Sequence, residues 1–213
     1  MIRKFDFKKE YKNLYSSKQK PTLIDVPPLN YIMIDGNGKP TGENYQNAMQ
    51  ILYSLTYTIK MSKKGSNHID SYYEYVIPPL EGLWYLEDGK LDFNVNKEKW
   101  LWTSMIAQPD FVDKDIFNWA LHECKNKKPD LDFSKTRFET FNEGLCVQSM
   151  HIGSYDDELR TIAKIDKYIE DNNLVNVTSN IRKHHEIYLS DPRRTSPEKL
   201  RTILRFPVQK NLL

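Results

Sequence analysis

Residues 183–190 read Lys-His-His-Glu-Ile-Tyr-Leu-Ser and are followed directly by an Asp-Pro pair. The stretch is short, contains β-branched and aromatic residues and ends before a proline, which predicts a β-strand. Successive side chains of a strand point to opposite sides of the sheet. Ile187 and Leu189 therefore share one face, which we expect helices to cover. Glu186 and Tyr188 share the other, which we expect to be the open, concave face.

The order strand, helix, strand, strand occurs twice in the chain, at about 30–86 and again at about 145–206. Residues 99–141 are interpreted as an insertion between the two copies. This repeat predicts an α+β fold: two modules related by pseudo-two-fold symmetry, with a curved antiparallel sheet and helices on one face. Residues 1–29 are charged and interrupted by prolines, which predicts a peripheral N-terminal arm. Residues 30–213 then form a single domain.

The chain is rich in aromatic residues, with 4 Trp, 13 Tyr and 9 Phe among 213 residues. Tyrosine alone makes up half of this set, so the excess needs an explanation. The rings either belong to an ordinary core and surface or line a binding groove, and composition alone does not separate these interpretations.

Charge and motifs exclude several classes of function. The net charge of +2, from 31 basic and 29 acidic residues, gives no electrostatic case for nucleic acid. No apolar run approaches the roughly 18 residues of a membrane span, and the N-terminus lacks the apolar stretch of a signal peptide. Two cysteines without an export signal predict a reduced, cytoplasmic protein. The sequence contains no recognisable metal or cofactor motif. His184 and His185 do not form a metal site, because neighbouring residues on a strand point to opposite faces.

The most informative residue is Glu186, a carboxylate in the middle of a strand. If it is removed from water beside aromatic rings, it can serve as an acid or base or attract a cation. It can equally be a polar residue on the solvated face of an antiparallel sheet. Trp100 and Trp102 share a strand face and form either a wall of a groove or part of the core. Gly82 indicates a bulge or a close backbone approach.

Three stretches together resemble the stand-alone branch of the GyrI-like small-molecule-binding family. They are residues 183–205, 78–84 (Pro-Pro-Leu-Glu-Gly-Leu-Trp) and 150–158 (Met-His-Ile-Gly-Ser-Tyr-Asp-Asp-Glu). The resemblance implies two strand-helix-strand-strand modules with a ligand groove between them. It also implies a glutamate at the bottom of an aromatic pocket that meets cationic or polycyclic ligands, and Glu186 matches that position.

The resemblance further bears on the kind of function. In multidrug-sensing regulators of this family the domain follows a DNA-binding helix-turn-helix, and the residues before the first strand are too few for one here. Some stand-alone members are hydrolases of cyclopropane-containing genotoxic compounds, which use an aromatic clamp and a glutamate with water.

These observations predict a protein that binds apolar, aromatic or cationic small molecules of drug or xenobiotic type. The predicted ligand contacts are Glu186 as the polar anchor and Trp84, Trp100, Trp102, Tyr155, Tyr188 and Tyr53 as walls. A first alternative is a hydrolase that detoxifies cyclopropanoid or other electrophilic compounds with Glu186 and water, so enzymatic activity stays open here. A second alternative is a macromolecular interaction protein of the gyrase-inhibitor type. The sequence predicts no oligomeric state.

Overall fold

Nine strands form one open antiparallel sheet in the computed structural model, which describes residues 4–64, 69–89, 92 and 95–211. The described residues contain eleven strands in all: β1 (Phe5–Asp6), β2 (Thr22–Val26), β3 (Leu29–Asn37), β4 (Tyr75–Val76), β5 (Leu80–Tyr85), β6 (Leu101–Ala107), β7 (Thr136–Phe141), β8 (Gly144–Ile152), β9 (Leu174–Asn176), β10 (His184–Tyr188) and β11 (Arg201–Lys210). The order in the sheet is β2-β8-β11-β10-β5-β6-β3-β7, and β9 pairs with β11. β1 and β4 form a separate parallel pair.

Five α-helices accompany the sheet in the described part of the chain. They are α1 (Phe7–Glu10), α2 (Lys12–Tyr15), α3 (Glu43–Lys60), α4 (Lys114–Lys127) and α5 (Leu159–Asp171). The predicted α+β fold, with a large antiparallel sheet, is confirmed. Within the described part of the chain, no helix combines the length and the apolar character needed to cross a membrane.

The register of the strands shows which side chains share a face. Glu186 pairs with Gly82 on one side and with Leu204 on the other, and Gly82 pairs with Ser104. Directly paired residues point to the same side of a sheet. α3 and α4 pack on this face against Trp102 and its neighbours, and α5 packs on it around Leu204. We call this the front face; it carries all three long helices.

The front face is also the face of Glu186, so the expectation that helices cover the Ile187 face and leave the Glu186 face open is wrong for the three long helices. Ile187 is fully buried on the opposite face, which we call the rear face. It is covered there by the N-terminal residues Phe7, Leu14 and Tyr15. Apolar residues lie on both faces of the central strands. The alternation of side chains along a strand therefore shows which residues share a face, but it does not show which face the long helices cover.

The N-terminal residues predicted as a peripheral arm form a layer of the molecule. β2 is the edge strand of the large sheet and pairs with β8. Phe7, Leu14 and Tyr15 are each at most 3% exposed. The aromatic residues of this otherwise charged segment explain why it packs on the rear face.

The strand order divides the chain differently from the repeat drawn from the sequence. The triplets β8-β11-β10 and β5-β6-β3 lie side by side with opposite orders, as a pseudo-two-fold axis between β10 and β5 requires. β6, which lies within the expected insertion at 99–141, is therefore an integral strand and the counterpart of β11. The strand expected at 72–77 is reduced to β4, which pairs with β1 outside the large sheet. Pro78 and Pro79, which follow it, prevent a continuous ladder with β5.

Candidate functional site

A cavity of about 620 Å³ opens on the front face between α3 and the start of α5. This volume lies in the range of sites for drug-sized ligands. Its residues come from both halves of the pseudo-symmetric sheet and include Glu186, Tyr188, Trp84, Trp100, Tyr155, Tyr45, Glu158 and Lys97. β10 and β5 place Glu186, Tyr188 and Trp84 on the same side because these residues are spaced by two along paired strands.

A chain of hydrogen bonds leads from an indole to the central carboxylate. Trp84 Nε1 donates to the Tyr188 hydroxyl at 2.7 Å, and that hydroxyl donates to Glu186 Oε2 at 2.8 Å. His184 Nε2 lies 3.2 Å from Glu186 Oε1. Glu186 itself is 5% exposed. The carboxylate is therefore held in one orientation by groups on both of its oxygens.

Gly82 makes this arrangement possible. It lies directly opposite Glu186 in a regular ladder, without a bulge. A Cβ atom at this position would lie 3.0 Å from Trp84 Nε1 and 3.2 Å from the Tyr188 hydroxyl. Of the two interpretations of this glycine from the sequence, the close approach of a neighbouring group is the one observed.

Aromatic rings form the walls of the cavity. Tyr45, from the first turn of α3, stacks on Trp84 with ring centroids 5.8 Å apart. Trp100 meets Trp84 edge to face at 5.5 Å, and Tyr155 meets Tyr188 edge to face at 6.0 Å. Rings in such orientations offer both flat faces and edges to a ligand.

A second carboxyl group, that of Glu158, lies at the same cavity. It is 3% exposed, and among the residues that the structure describes its Oε1 atom has no hydrogen-bond partner. Burial, and then the negative charge of Glu186, raise its pKa well above the ordinary value. The same two causes raise the pKa of Tyr155 to about 12. The site thus combines one oriented carboxylate with one carboxyl group that tends to keep its proton.

Charged side chains stand at the mouth of the cavity. Lys97 pairs with Asp156 at 3.0 Å, and Lys39 pairs with Glu98 at 2.9 Å. The Lys97 ammonium also lies 5.7 Å from the centre of the Trp100 ring. No cluster of three or more His, Cys, Asp or Glu side chains suited to a metal occurs in the described ranges.

The model of the GyrI-like small molecule binding domain matches residues 19–209. The chain belongs to the GyrI-like family. This confirms the resemblance stated above, and it agrees with a groove between two halves of a pseudo-symmetric sheet. Among curated proteins, no sequence matches this chain significantly.

Several solved structures are similar to this GyrI-like chain. An uncharacterized conserved protein from Listeria innocua is 51% identical with a TM-score of 0.92, covering 97% of this chain and 100% of its own. A hydrolase from Listeria innocua is 48% identical with a TM-score of 0.89 and the same coverage. The EcmrR C-terminal domain, at 13% identity and a TM-score of 0.54, shares the fold; 89% of this chain and 97% of that domain are covered.

Five of the residues predicted for the GyrI-like site lie at the cavity: Glu186, Tyr188, Trp84, Trp100 and Tyr155. Two others do not. Trp102 is 1% exposed and packs beneath α3, where its ring meets the Tyr45 ring edge to face at 5.1 Å. Tyr53 is 36% exposed and contacts Tyr57 on the outer side of α3.

Tyr45 and Glu158 are two of the cavity residues that the sequence prediction missed. Tyr45 belongs to the same i+4 row of α3 as Tyr53 but lies two turns, or about 12 Å, nearer its N-terminus. Glu158 falls inside one of the stretches that carry the family resemblance, next to acidic residues that the sequence explains as helix capping. Its position within that stretch is the only signal that could have identified it.

Proposed function

We propose that this protein hydrolyses an aromatic, electrophilic small molecule bound in the front-face cavity, with Glu186 activating the water. The observation that carries the proposal is a buried carboxylate, oriented by Tyr188 and His184, at the centre of an aromatic cavity. Support also comes from similar proteins: two Listeria innocua structures at 48% and 49% identity over the whole chain are described as hydrolases.

The aromatic walls select the ligand. A flat ring system can stack on the partly exposed ring of Tyr155, and a cationic group can lie against the aromatic walls near the Glu186 carboxylate. Each stacking or cation–π contact contributes about 0.5–2 kcal/mol. The substrate class we propose is therefore an apolar or cationic aromatic compound of xenobiotic type.

The chemical step follows from the orientation of Glu186. Its carboxylate takes a proton from a water molecule as the water oxygen attacks an electrophilic carbon of the ligand. General-base catalysis of this kind contributes roughly 10²–10⁴-fold in rate. Strained carbons, such as those of cyclopropanoid genotoxic compounds, are suitable electrophiles because attack relieves ring strain.

Binding without turnover is the second candidate function. The hydrogen-bond chain from Trp84 through Tyr188 favours it, because a carboxylate fixed in this way is also an anchor for a cationic ligand. In that case the cavity would sequester drug-like molecules rather than transform them.

One experiment separates the two functions. Wild-type protein, Glu186→Gln and the surface control Glu170→Gln are incubated with an aromatic compound that carries an activated cyclopropane ring. Mass spectrometry follows the addition of water, and tryptophan fluorescence follows binding. We expect a water adduct from wild type and from the control, and a rate lower by roughly 10²–10⁴-fold in Glu186→Gln.

Two results would argue against hydrolysis by Glu186. If the Glu186→Gln variant turned over the compound at the wild-type rate, Glu186 would not be the general base. Saturable binding by wild type with no adduct above the buffer rate would favour sequestration instead.

A further inference from the structure

We propose that Glu158 is a second catalytic residue, which donates a proton to the departing side of the substrate while Glu186 takes one from water. This inference rests on the proposed hydrolytic function and adds a residue to it. Its basis is the position of Glu158 at the cavity together with the lack of a partner for Oε1 among the described residues.

The backbone around Glu158 is fixed by hydrogen bonds. The Glu158 carbonyl accepts from the backbone N–H groups of Thr161 and Ile162 at the start of α5. His151 lies beneath this turn, with Nε2 2.9 Å from the Ser154 carbonyl and Nδ1 2.9 Å from the Thr161 hydroxyl. The Glu158 carboxyl group is therefore presented to the cavity from a rigid segment.

The sharp exit from β8 into this turn depends on Gly153. Its φ of 141° is a conformation that other residues rarely adopt. The local sequence thus supports the geometry that aims Glu158 inward.

The partners of the two carboxyl groups decide which one holds a proton. Two carboxylates that line the same largely apolar cavity repel each other, so one tends to keep its proton. Glu186 is held by the Tyr188 hydroxyl and lies beside His184. No hydrogen bond compensates Glu158 Oε1 in the described structure. Burial without a partner for Oε1 therefore keeps the proton on Glu158.

Other charges near Glu158 modify this balance without reversing it. Asp156, in the preceding turn, favours the protonated form as Glu186 does, whereas Lys97 favours the ionised form. Lys97 is already paired with Asp156 and is partly exposed, so its effect is screened. The N-terminus of α5 also favours a carboxylate. Burial and the charge of Glu186 outweigh both, which agrees with the raised pKa of Glu158.

The proposed step balances in atoms and electrons. The water oxygen forms a bond to the electrophilic carbon, and its proton passes to Glu186. The bond from that carbon to the leaving atom breaks, and the electron pair passes to that atom or to a carbonyl oxygen conjugated with it. Glu158 gives its proton to the atom that receives the pair. Transfer of a proton from Glu186 back to Glu158, directly or through water, restores the starting state.

The first test does not depend on turnover. Infrared spectra of protein labelled with ¹³C-glutamate report protonated carboxyl groups directly. We expect a protonated glutamate at neutral pH in wild type and in Glu170→Gln that is absent from Glu158→Gln. In Glu186→Gln the same group should titrate at lower pH, because the charge that raises its pKa has been removed.

The second test uses turnover of the cyclopropane-containing aromatic compound. We expect Glu158→Gln to bind it within a few-fold of wild type but to add water roughly 10²–10⁴-fold more slowly. The wild-type rate should fall at alkaline pH, because Glu158 loses its proton there. Glu158→Gln should not show this fall. Glu158→Asp, which keeps a carboxyl group on a shorter side chain, should retain part of the rate. Unfolding midpoints verify that all variants are folded.

The possible outcomes separate this inference from the proposed function. Turnover lost in Glu186→Gln but kept at the wild-type rate in Glu158→Gln would overturn the role of Glu158 and leave hydrolysis standing. Infrared spectra unchanged by Glu158→Gln would overturn it as well. If the wild-type protein adds no water to the compound, the proposed hydrolysis is rejected. The catalytic role of Glu158 is then rejected as well, even if the infrared signal shows that Glu158 carries a proton.

Discussion

Two buried polar clusters meet back to back at β10, where the consecutive residues His185 and Glu186 point to opposite faces of the sheet. The rear cluster contains Glu81, Glu143, His185, Arg205, Gln148, Tyr15 and Tyr31. The front site contains Glu186, Glu158 and the aromatic walls. Both clusters bury two glutamates, but they differ in how the charges of those glutamates are compensated.

The rear cluster neutralises its own charges. Arg205 Nη1 donates to Glu143 Oε2 at 2.7 Å, and the two nitrogens of His185 lie 3.0 Å from Glu143 and 3.0 Å from Glu81. Burial alone would raise the pKa of Glu143, yet Arg205 and His185 lower it to about 2. Two cationic and two anionic side chains are thereby matched inside the molecule.

The same cluster attaches the N-terminal layer to the sheet. The Tyr15 hydroxyl donates to Glu81 at 2.7 Å, and Arg205 Nη2 donates to the Leu14 carbonyl at 3.0 Å. The front site has a cavity in place of these contacts. Among the described residues, the cation that acts on Glu158 is Lys97, and its ammonium group pairs with Asp156. Ion pairs hold the rear cluster together as a structural element, although Glu143 Oε1 has no hydrogen-bond partner among the described residues. The front glutamates lie beside a cavity instead, which suits them to the proposed action on a ligand.

The largest expected difference between the clusters is in stability. Arg205→Met leaves Glu143 buried without its main cation, which should lower the free energy of unfolding by about 3–5 kcal/mol. Glu186→Gln at the front keeps a hydrogen-bond acceptor for Tyr188 and should cost about 1 kcal/mol or less. Urea unfolding followed by tryptophan fluorescence measures both.

A double variant sharpens this prediction. Adding Glu143→Leu to Arg205→Met removes the uncompensated charge, so part of the lost stability should return. Equal losses from the front and rear substitutions would contradict the contrast drawn between the two clusters.

The next effect is the pH dependence of stability that His185 and Glu143 contribute in the rear cluster. Burial opposes a charge on His185, but Glu143 and Glu81 raise its pKa from the ordinary 6.5 to about 9. A raised pKa stabilises the fold fully below about pH 6.5, and this stabilisation is lost as the pH rises through about 9. Its size is on the order of 2–3 kcal/mol. Glu143 acts in the opposite sense, losing its contribution as the pH falls from about 4.5 through about 2.

Measuring the free energy of unfolding as a function of pH checks whether stability falls as the pH rises through the pKa of His185. Wild type and Glu186→Gln should lose stability together as the pH rises from about 6.5 to 9. His185→Gln should be less stable at neutral pH but should lack most of this slope. A slope that persists unchanged in His185→Gln would assign the titration to another group.

The contrast between the faces could be predicted from the sequence only in part. Alternation along 183–190 separates Glu186 and Tyr188 from Ile187, and the regular ladder of β5 places Trp84 and Glu81 on opposite faces as parity predicts. These results depend only on the two-residue period of a strand. The face that receives the long helices depends on distant segments, which alternation within one strand does not reveal.

The positions of individual aromatic residues show the same limit. Trp100 and Trp102 share a face, but α3 covers Trp102 and leaves Trp100 beside the cavity. The i+4 row on α3 contains both Tyr45 and Tyr53, and only the tertiary packing decides which turn of the helix reaches the site. Glu158 and Glu186 are 28 residues apart in the sequence, yet both line the cavity. No local sequence pattern predicts that they lie close together.

The smallest expected effect comes from a matched pair of tyrosines, one on each face. Tyr15→Phe removes a hydroxyl that donates to Glu81 at the rear, and Tyr188→Phe removes one that donates to Glu186 at the front. Hydrogen bonds to charged groups contribute roughly 1.5–3 kcal/mol, so Tyr15→Phe should destabilise by that amount. Tyr188→Phe should cost about 1 kcal/mol, because water in the cavity can replace the lost partner of Trp84 and Glu186.

Ligand binding should respond in the opposite order. Tyr188→Phe frees both the Trp84 indole N–H and the Glu186 carboxylate to reorient, so affinity for an aromatic cation should fall several-fold. Tyr15→Phe changes only the rear cluster and should leave affinity unchanged at temperatures where the variant is folded. Fluorescence titration of both variants measures this difference. If Tyr15→Phe weakened binding as much as Tyr188→Phe, the two faces would be coupled through β10, and the rear cluster would belong to the functional site.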